Sequence, residues 1–146
     1  MKKLILFSFL FVVALGFAQK NEPQSIISSK VSIKKYHNKE ELNRMEKGEL
    51  LGLYIERIES LVQTLPYIAF ATKPGKTMST FGIPNTKENR NILEDKVDAT
   101  DEFLGIIVDF QKQMLPYSDK SNLIGAILFY EETMKLLHEY NEFQAN

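Results

Sequence analysis

The chain has 146 residues, with 18 Lys+Arg against 19 Asp+Glu, no Cys and no Trp. That length allows one domain. A near-neutral, cysteine-free chain that is 44 % hydrophobic is neither a strongly basic nucleic-acid binder, nor a disulfide-stapled miniprotein, nor a collagenous or low-complexity polymer.

The first residues read MKKLILFSFLFVVALGFAQK. Lys2 and Lys3 form a positive start, Leu4 to Leu15 is an apolar run broken only by Ser8, and Gly16 and Ala18 are small residues two apart. This pattern predicts a signal peptide over residues 1–18, cleaved after Ala18. The run is shorter than the roughly 20 residues that cross a bilayer. No Cys follows it, so lipid attachment as a lipoprotein is not expected. The expected location is periplasmic or secreted. Cleavage would leave 128 residues and remove two lysines, so that 16 basic residues face 19 acids, a net charge of −3. Without disulfides, stability must come from packing, for which a chain of this size suffices.

Residues 19–37, QKNEPQSIISSKVSIKKYH, are expected to form a flexible polar arm, part of it lying along the helices. Ile27, Val31 and Ile33 allow a short extended stretch. Lys30, Lys34 and Lys35, with Tyr36 among them, form a basic cluster suited to an anionic surface or an acidic partner.

Asn38 followed by Glu41 has capping-box spacing and predicts a first helix running to about Leu65. Leu50, Tyr54, Ile58, Leu61 and Leu65 form its apolar stripe, widened by Leu51, Ile55 and Val62, with Glu46, Glu49, Glu56, Ser60 and Gln63 opposite. So broad a stripe calls for more than one covering neighbour. Gly48 and Gly52 cost about 1 kcal/mol each in a helix, and a close helix approach would offset that. Pro66 ends the helix.

Residues 72–85, TKPGKTMSTFGIPN, read as a loop marked by Pro74-Gly75 and by Gly82 and Pro84. Met78, Phe81 and Ile83 are expected to tuck it against the bundle. Its GKT triplet looks like the end of a phosphate-binding loop, but the first glycine of that motif would fall on Phe70. The loop is instead a mobile basic surface, with Lys73, Lys76, Thr77, Phe81 and Lys87 as candidate contacts.

Asn85 and Glu88 predict a second capping box and a helix reaching about Leu115, close to 28 residues or about 40 Å long. Leu93, Val97, Thr100, Leu104, Ile107, Gln111 and Met114 trace one face, broadened by Ile92, Phe103, Ile106 and Phe110. Glu94, Asp98, Asp101, Glu102 and Asp109 make this helix acidic. They lie opposite the apolar stripe, where they suit a solvated face or a partner protein better than acid–base catalysis in a cleft. Ser118 or Asp119 starts a third helix, to about Phe143, buried along Leu123, Ile127, Tyr130, Met134, Leu137 and Asn141 and extended by Ile124, Leu128 and Leu136. The short link places it antiparallel to the second helix. The segments QTLPY (63–67) and QMLPY (113–117) echo each other. Leu-Pro as a helix stop explains the echo, and an old helix duplication is the other reading.

Few constellations offer chemistry. Glu131, His138 and Glu142 share a helix face and can present ligands to a divalent metal. A di-iron bundle would need Glu-x-x-His pairs, and residues 34 and 135, three before the two histidines, are both lysine. Thioether haem attachment is excluded by the missing cysteines. No Ser-His-acid or Cys-His pattern is visible, so no catalytic residue and no cofactor is assigned.

The sequence therefore predicts an all-α fold, an antiparallel bundle of three long helices over residues 38–146 behind an extended polar N-terminal arm. The apolar stripes either close on one another or leave a groove for the arm, the 66–85 segment or a second copy. The expected function is that of a non-enzymatic exported protein in an accessory or scaffold role. It would bind another envelope or secreted protein or itself, with peripheral contact to an anionic surface, no nucleic acid and no membrane span after cleavage. The alternative is a small helical ligand- or metal-binding protein.

Overall fold

A computed structural model describes residues 23–144, and side chains over residues 23–140. The signal-peptide segment and the Asn141 and Glu142 side chains lie outside the described residues. The fold is all-α, an antiparallel bundle of three long helices behind an N-terminal arm.

Helix α1 spans Lys39–Arg44, and its capping box forms as the sequence predicts. Asn38 Oδ1 accepts from the Glu41 N–H at 2.9 Å, and Glu41 Oε2 accepts from the Asn38 N–H at 3.0 Å. The predicted first helix is not continuous, however. Met45 (φ −74°, ψ 147°) and Glu46 (φ −70°, ψ 155°) are extended. The chain then restarts as α2, Lys47–Thr64, with Glu49 Oε2 accepting the Glu46 N–H at 2.8 Å. A second local cap thus competes successfully with helix continuation. Gly48 and Gly52 have no neighbour within 4 Å of a Cβ position, so they serve no close helix approach.

Helix α3 spans Lys87–Met114, 28 residues, and α4 spans Lys120–Gln144. The cap of α3 is Thr86 rather than Asn85, with Thr86 Oγ1 accepting from the Asn89 N–H at 3.2 Å. The two Leu-Pro-Tyr segments behave alike. Leu65–Tyr67 and Leu115–Tyr117 are each a single 3-10 turn closing a long helix. Proline has no N–H to give to the carbonyl four residues back, so the ladder ends there in both. The chains then part, Ile68 remaining helical (ψ −24°) and Ser118 becoming extended (ψ 149°).

Helix α2 is the central element, packed on both α3 and α4, whereas α3 and α4 make little direct contact with each other. The core is accordingly in two parts. One joins Leu42 and Leu50 to Leu123, Ile124 and Ile127. The other is built largely by non-helical chain, with Ile26, Ile27 and Val31 of the arm meeting Ala71, Met78 and Leu93. Here the arm pairs with the loop through the Ile26 N–H, which donates to the Lys76 carbonyl at 2.8 Å, beside an isolated antiparallel bridge between Ser25 and Thr77. Among the described residues there is no strand, and Val31 belongs to a 3-10 turn, Ser29–Val31. The arm and the 66–85 segment therefore fill the space beside α2 and α3.

Candidate functional site

Two features stand out once the bundle is assembled. The first is buried. Arg57 on α2 and Glu131 on α4 are 1 % and 0 % exposed, and Arg57 Nε donates to Glu131 Oε1 at 2.8 Å. The guanidinium also donates through Nη1 to Glu56 Oε1 at 2.9 Å and through Nη2 to the Lys35 carbonyl at 2.7 Å. Glu131 accepts in addition the backbone N–H of His37 at Oε2, and its Oε1 lies 3.0 Å from His37 Nδ1. A carboxylate can only accept, so His37 Nδ1 carries the proton in this arrangement. One buried cation and one buried anion thus satisfy each other while clamping residues 35–37 of the arm onto α2 and α4.

Next to this cluster lies a cavity of about 260 Å³ lined by Tyr36, Lys73, Met134 and His138 among others. His138 Nε2 is 3.2 Å from the Thr72 carbonyl, and Nδ1 is 3.4 Å from the Tyr36 hydroxyl. The carbonyl can only accept, so Nε2 carries a proton and donates to it, while Nδ1 faces the Tyr36 hydroxyl. Burial pushes the Tyr36 hydroxyl above its ordinary range, and Lys135 Nζ sits 5.3 Å from the ring centroid. A second cavity, about 360 Å³, is lined by Ser25, Lys30, Gln63, Tyr67, Thr100 and Asp101 among others. The buried Tyr67 hydroxyl has no hydrogen-bond partner among the described residues.

The second feature is exposed. On α3 the residues that face the core are Leu93, Thr100, Leu104 and Val108. The residues expected to broaden that stripe point outward instead: Ile92, Phe103, Ile106 and Phe110 are 52–68 % exposed. Met114, expected on the stripe itself, is 51 % exposed, and Tyr117 in the turn beyond is 86 % exposed. The core face is turned toward Val108, away from them. Within α3, Lys96, Phe103 and Phe110 recur every seven residues, as do Ile92, Ala99, Ile106 and Gln113, and Tyr117 stands seven beyond Phe110 in the 3-10 turn that closes the helix. The two series interleave at spacings of three and four, the period of a helix–helix seam. All eight are exposed.

The other sequence candidates are dispersed. Lys30, Lys34 and Lys35 are exposed, and Lys35 pairs with Glu41 at 2.8 Å. That hydrogen bond holds the Glu41 carboxyl below its ordinary range. In the loop, Lys73 reaches the same cavity as Tyr36, while Lys76 and Lys87 are exposed. Thr77 caps the Met78–Phe81 turn, and Phe81 packs edge-to-face on Phe70 at 5.7 Å. Glu131 is committed to Arg57 and His37, and His138 to Tyr36 and Thr72. Among the described residues no three His, Cys, Asp or Glu side chains converge to hold a metal. No described helix is long and apolar enough to cross a membrane.

Sequence reasoning missed Arg57 and Glu131 as a pair, placed Ser60 outside although it is buried, and overlooked Thr64 and Val108 as interior positions. The spacing held a signal: Arg57 is seven residues after Leu50 and four before Leu61, and Glu131 is four after Ile127. Opposite charges in phase with two apolar stripes mark a buried pair. No family model, curated protein or solved structure matches the chain.

Proposed function

We propose that the protein is a non-enzymatic exported helical protein that acts by binding another protein, in an accessory or scaffold role. The observation that carries this is the exposed seam of α3. Side chains as large as Phe103, Ile106 and Phe110 stand more than half exposed in one continuous row, and an ordered apolar row of this kind is a hallmark of a protein contact surface. Export is supported by the charged start and apolar run of residues 1–18.

The test is photocrosslinking in the native envelope, with a photoreactive phenylalanine analogue at Phe103 and a control at the exposed Lys39 on α1. A discrete adduct from position 103 and none from 39 is the expected result. Equal or absent crosslinking at both positions refutes the proposal. The mass of the recovered protein checks export at the same time, since cleavage after Ala18 leaves Gln19 first. The roughly 360 Å³ cavity, lined in part by Tyr67, Gln63 and Asp101, favours a second reading, a small-ligand-binding protein. Native mass spectrometry of the recovered protein separates the two.

A further inference from the structure

We propose that the α3 seam docks an amphipathic helix of another protein, apolar along one face and basic along one flank. This rests on the protein-binding function above and specifies the partner's chemistry. Glu88, Asp95, Glu102 and Asp109 also recur every seven residues, and all four are exposed. The last three stand immediately before Lys96, Phe103 and Phe110. They therefore run the length of the seam as a single acidic flank, in the position that sets partner choice in paired helices. Among the described residues none of the four forms an ion pair.

A second copy of this chain does not supply the complement. In an antiparallel pair the flank meets its own counterpart, acid against acid. In a parallel pair it meets the positions following Ile92, Ala99, Ile106 and Gln113, which are Leu93, Thr100, Ile107 and Met114. Neither orientation sets a lysine or arginine directly opposite the flank, and Lys96 within the seam donates to Thr100 Oγ1 at 3.3 Å. Like charges facing one another disfavour the wrong partner, and opposite charges select the right one. Within α3 the seam from Ile92 to Gln113 covers about 32 Å at 1.5 Å per residue, so the partner helix needs about three heptads.

The experiment titrates the full chain with three synthetic helical peptides about as long as α3, identical along an Ile/Leu seam and carrying Lys, Gln or Glu along one flank. Binding is read by fluorescence anisotropy at low and high salt. The Lys peptide should bind at least about tenfold tighter than the Glu peptide, given four facing charges, and high salt should shrink the difference. The variant Asp95→Lys/Glu102→Lys/Asp109→Lys should reverse the order, and Phe103→Glu/Phe110→Glu should abolish binding of all three. Circular dichroism establishes that both variants remain folded.

Equal binding of the three peptides, or an order unchanged by the charge reversal, overturns the proposal. So does a homodimer that Phe103→Glu/Phe110→Glu dissociates, because a second copy would then occupy the seam. A crosslinked protein at position 103 without peptide discrimination leaves the protein-binding function standing and removes only the basic helix. No adduct and no peptide binding removes both.

Discussion

Replacing Glu131 with glutamine removes one buried charge and almost no volume. Arg57 would then keep Glu56 as its carboxylate partner, and that side chain is 51 % exposed. In the native arrangement Arg57 Nε–H and His37 Nδ1–H converge on Oε1, and the His37 backbone N–H on Oε2. Glutamine offers one oxygen and one NH₂, so one side of the amide meets donor against donor. Breaking a buried pair from one side costs about 3–5 kcal/mol, a large share of the roughly 5–15 kcal/mol that holds a domain together. For a domain of this size the thermal midpoint should fall by roughly 10–20 °C. Urea unfolding followed by far-ultraviolet circular dichroism checks this on Glu131→Gln, Arg57→Met and the double variant Arg57→Met/Glu131→Leu. The double variant removes both charges, so its loss should be well below the sum of the single losses. Tryptic cleavage after Lys34 and Lys35 should accelerate in Glu131→Gln, because the clamp on the arm is released. A loss below about 1 kcal/mol for Glu131→Gln, or strict additivity in the double variant, refutes the reasoning.

Three further outcomes are expected. Gly52→Ala should raise stability by about 0.5–1 kcal/mol, since the helix interior there has open space for a methyl group; a lower urea midpoint contradicts this. Leu104→Ala should cost about 2–5 kcal/mol, whereas Phe103→Lys next to it should change stability by no more than about 0.5 kcal/mol, because Leu104 is buried and Phe103 is half exposed; matching denaturation midpoints would show the face of α3 to be misassigned. The Tyr130 hydroxyl is pushed up to about 12, first by burial and then by the Tyr54 hydroxyl 3.2 Å away. A folded-state value raised above the ordinary one of about 10 means stability held below pH 10 is lost as pH rises toward 12. Tyr130→Phe should flatten that alkaline loss and remove the latest phenolate step in an ultraviolet titration.

The long helices were legible because their caps and apolar spacing agree with what they pack against. Asn38 with Glu41, Pro66 and Pro116 mark boundaries that the structure places within a residue or two. The break at Met45–Glu46 was not legible, because Glu46 and Glu49 look like ordinary solvated helix residues until their backbone bond is seen. Stripe width was read correctly on α3 but assigned wholly to the core. Periodicity reports which side chains share a face and says nothing about whether a neighbour covers it. The arm followed the opposite course. Its serines and lysines suggested a flexible segment only partly laid along the helices, yet Ile26, Ile27 and Val31 supply half of one core cluster. The alternation of Ile27, Val31 and Ile33 suggested an extended stretch, whereas the chain turns at Ser29–Val31 and buries Ile26 beside Ile27.

The clamp around Glu131 also dictates an order of assembly. His37 and Glu131 are separated by 94 positions, and Arg57 and Glu131 by 74. Contacts this distant in sequence form late, after the loop between them has closed. The polypeptide grows from its N-terminus, so the arm emerges before α4 and cannot be clamped until Glu131 has emerged. Until then Arg57 stays hydrated, and Ile26, Ile27 and Val31 have to wait for the loop and α3 that bury them. A segment made early is thus among the last to be fixed, its residues 35–37 waiting for Glu131 of α4.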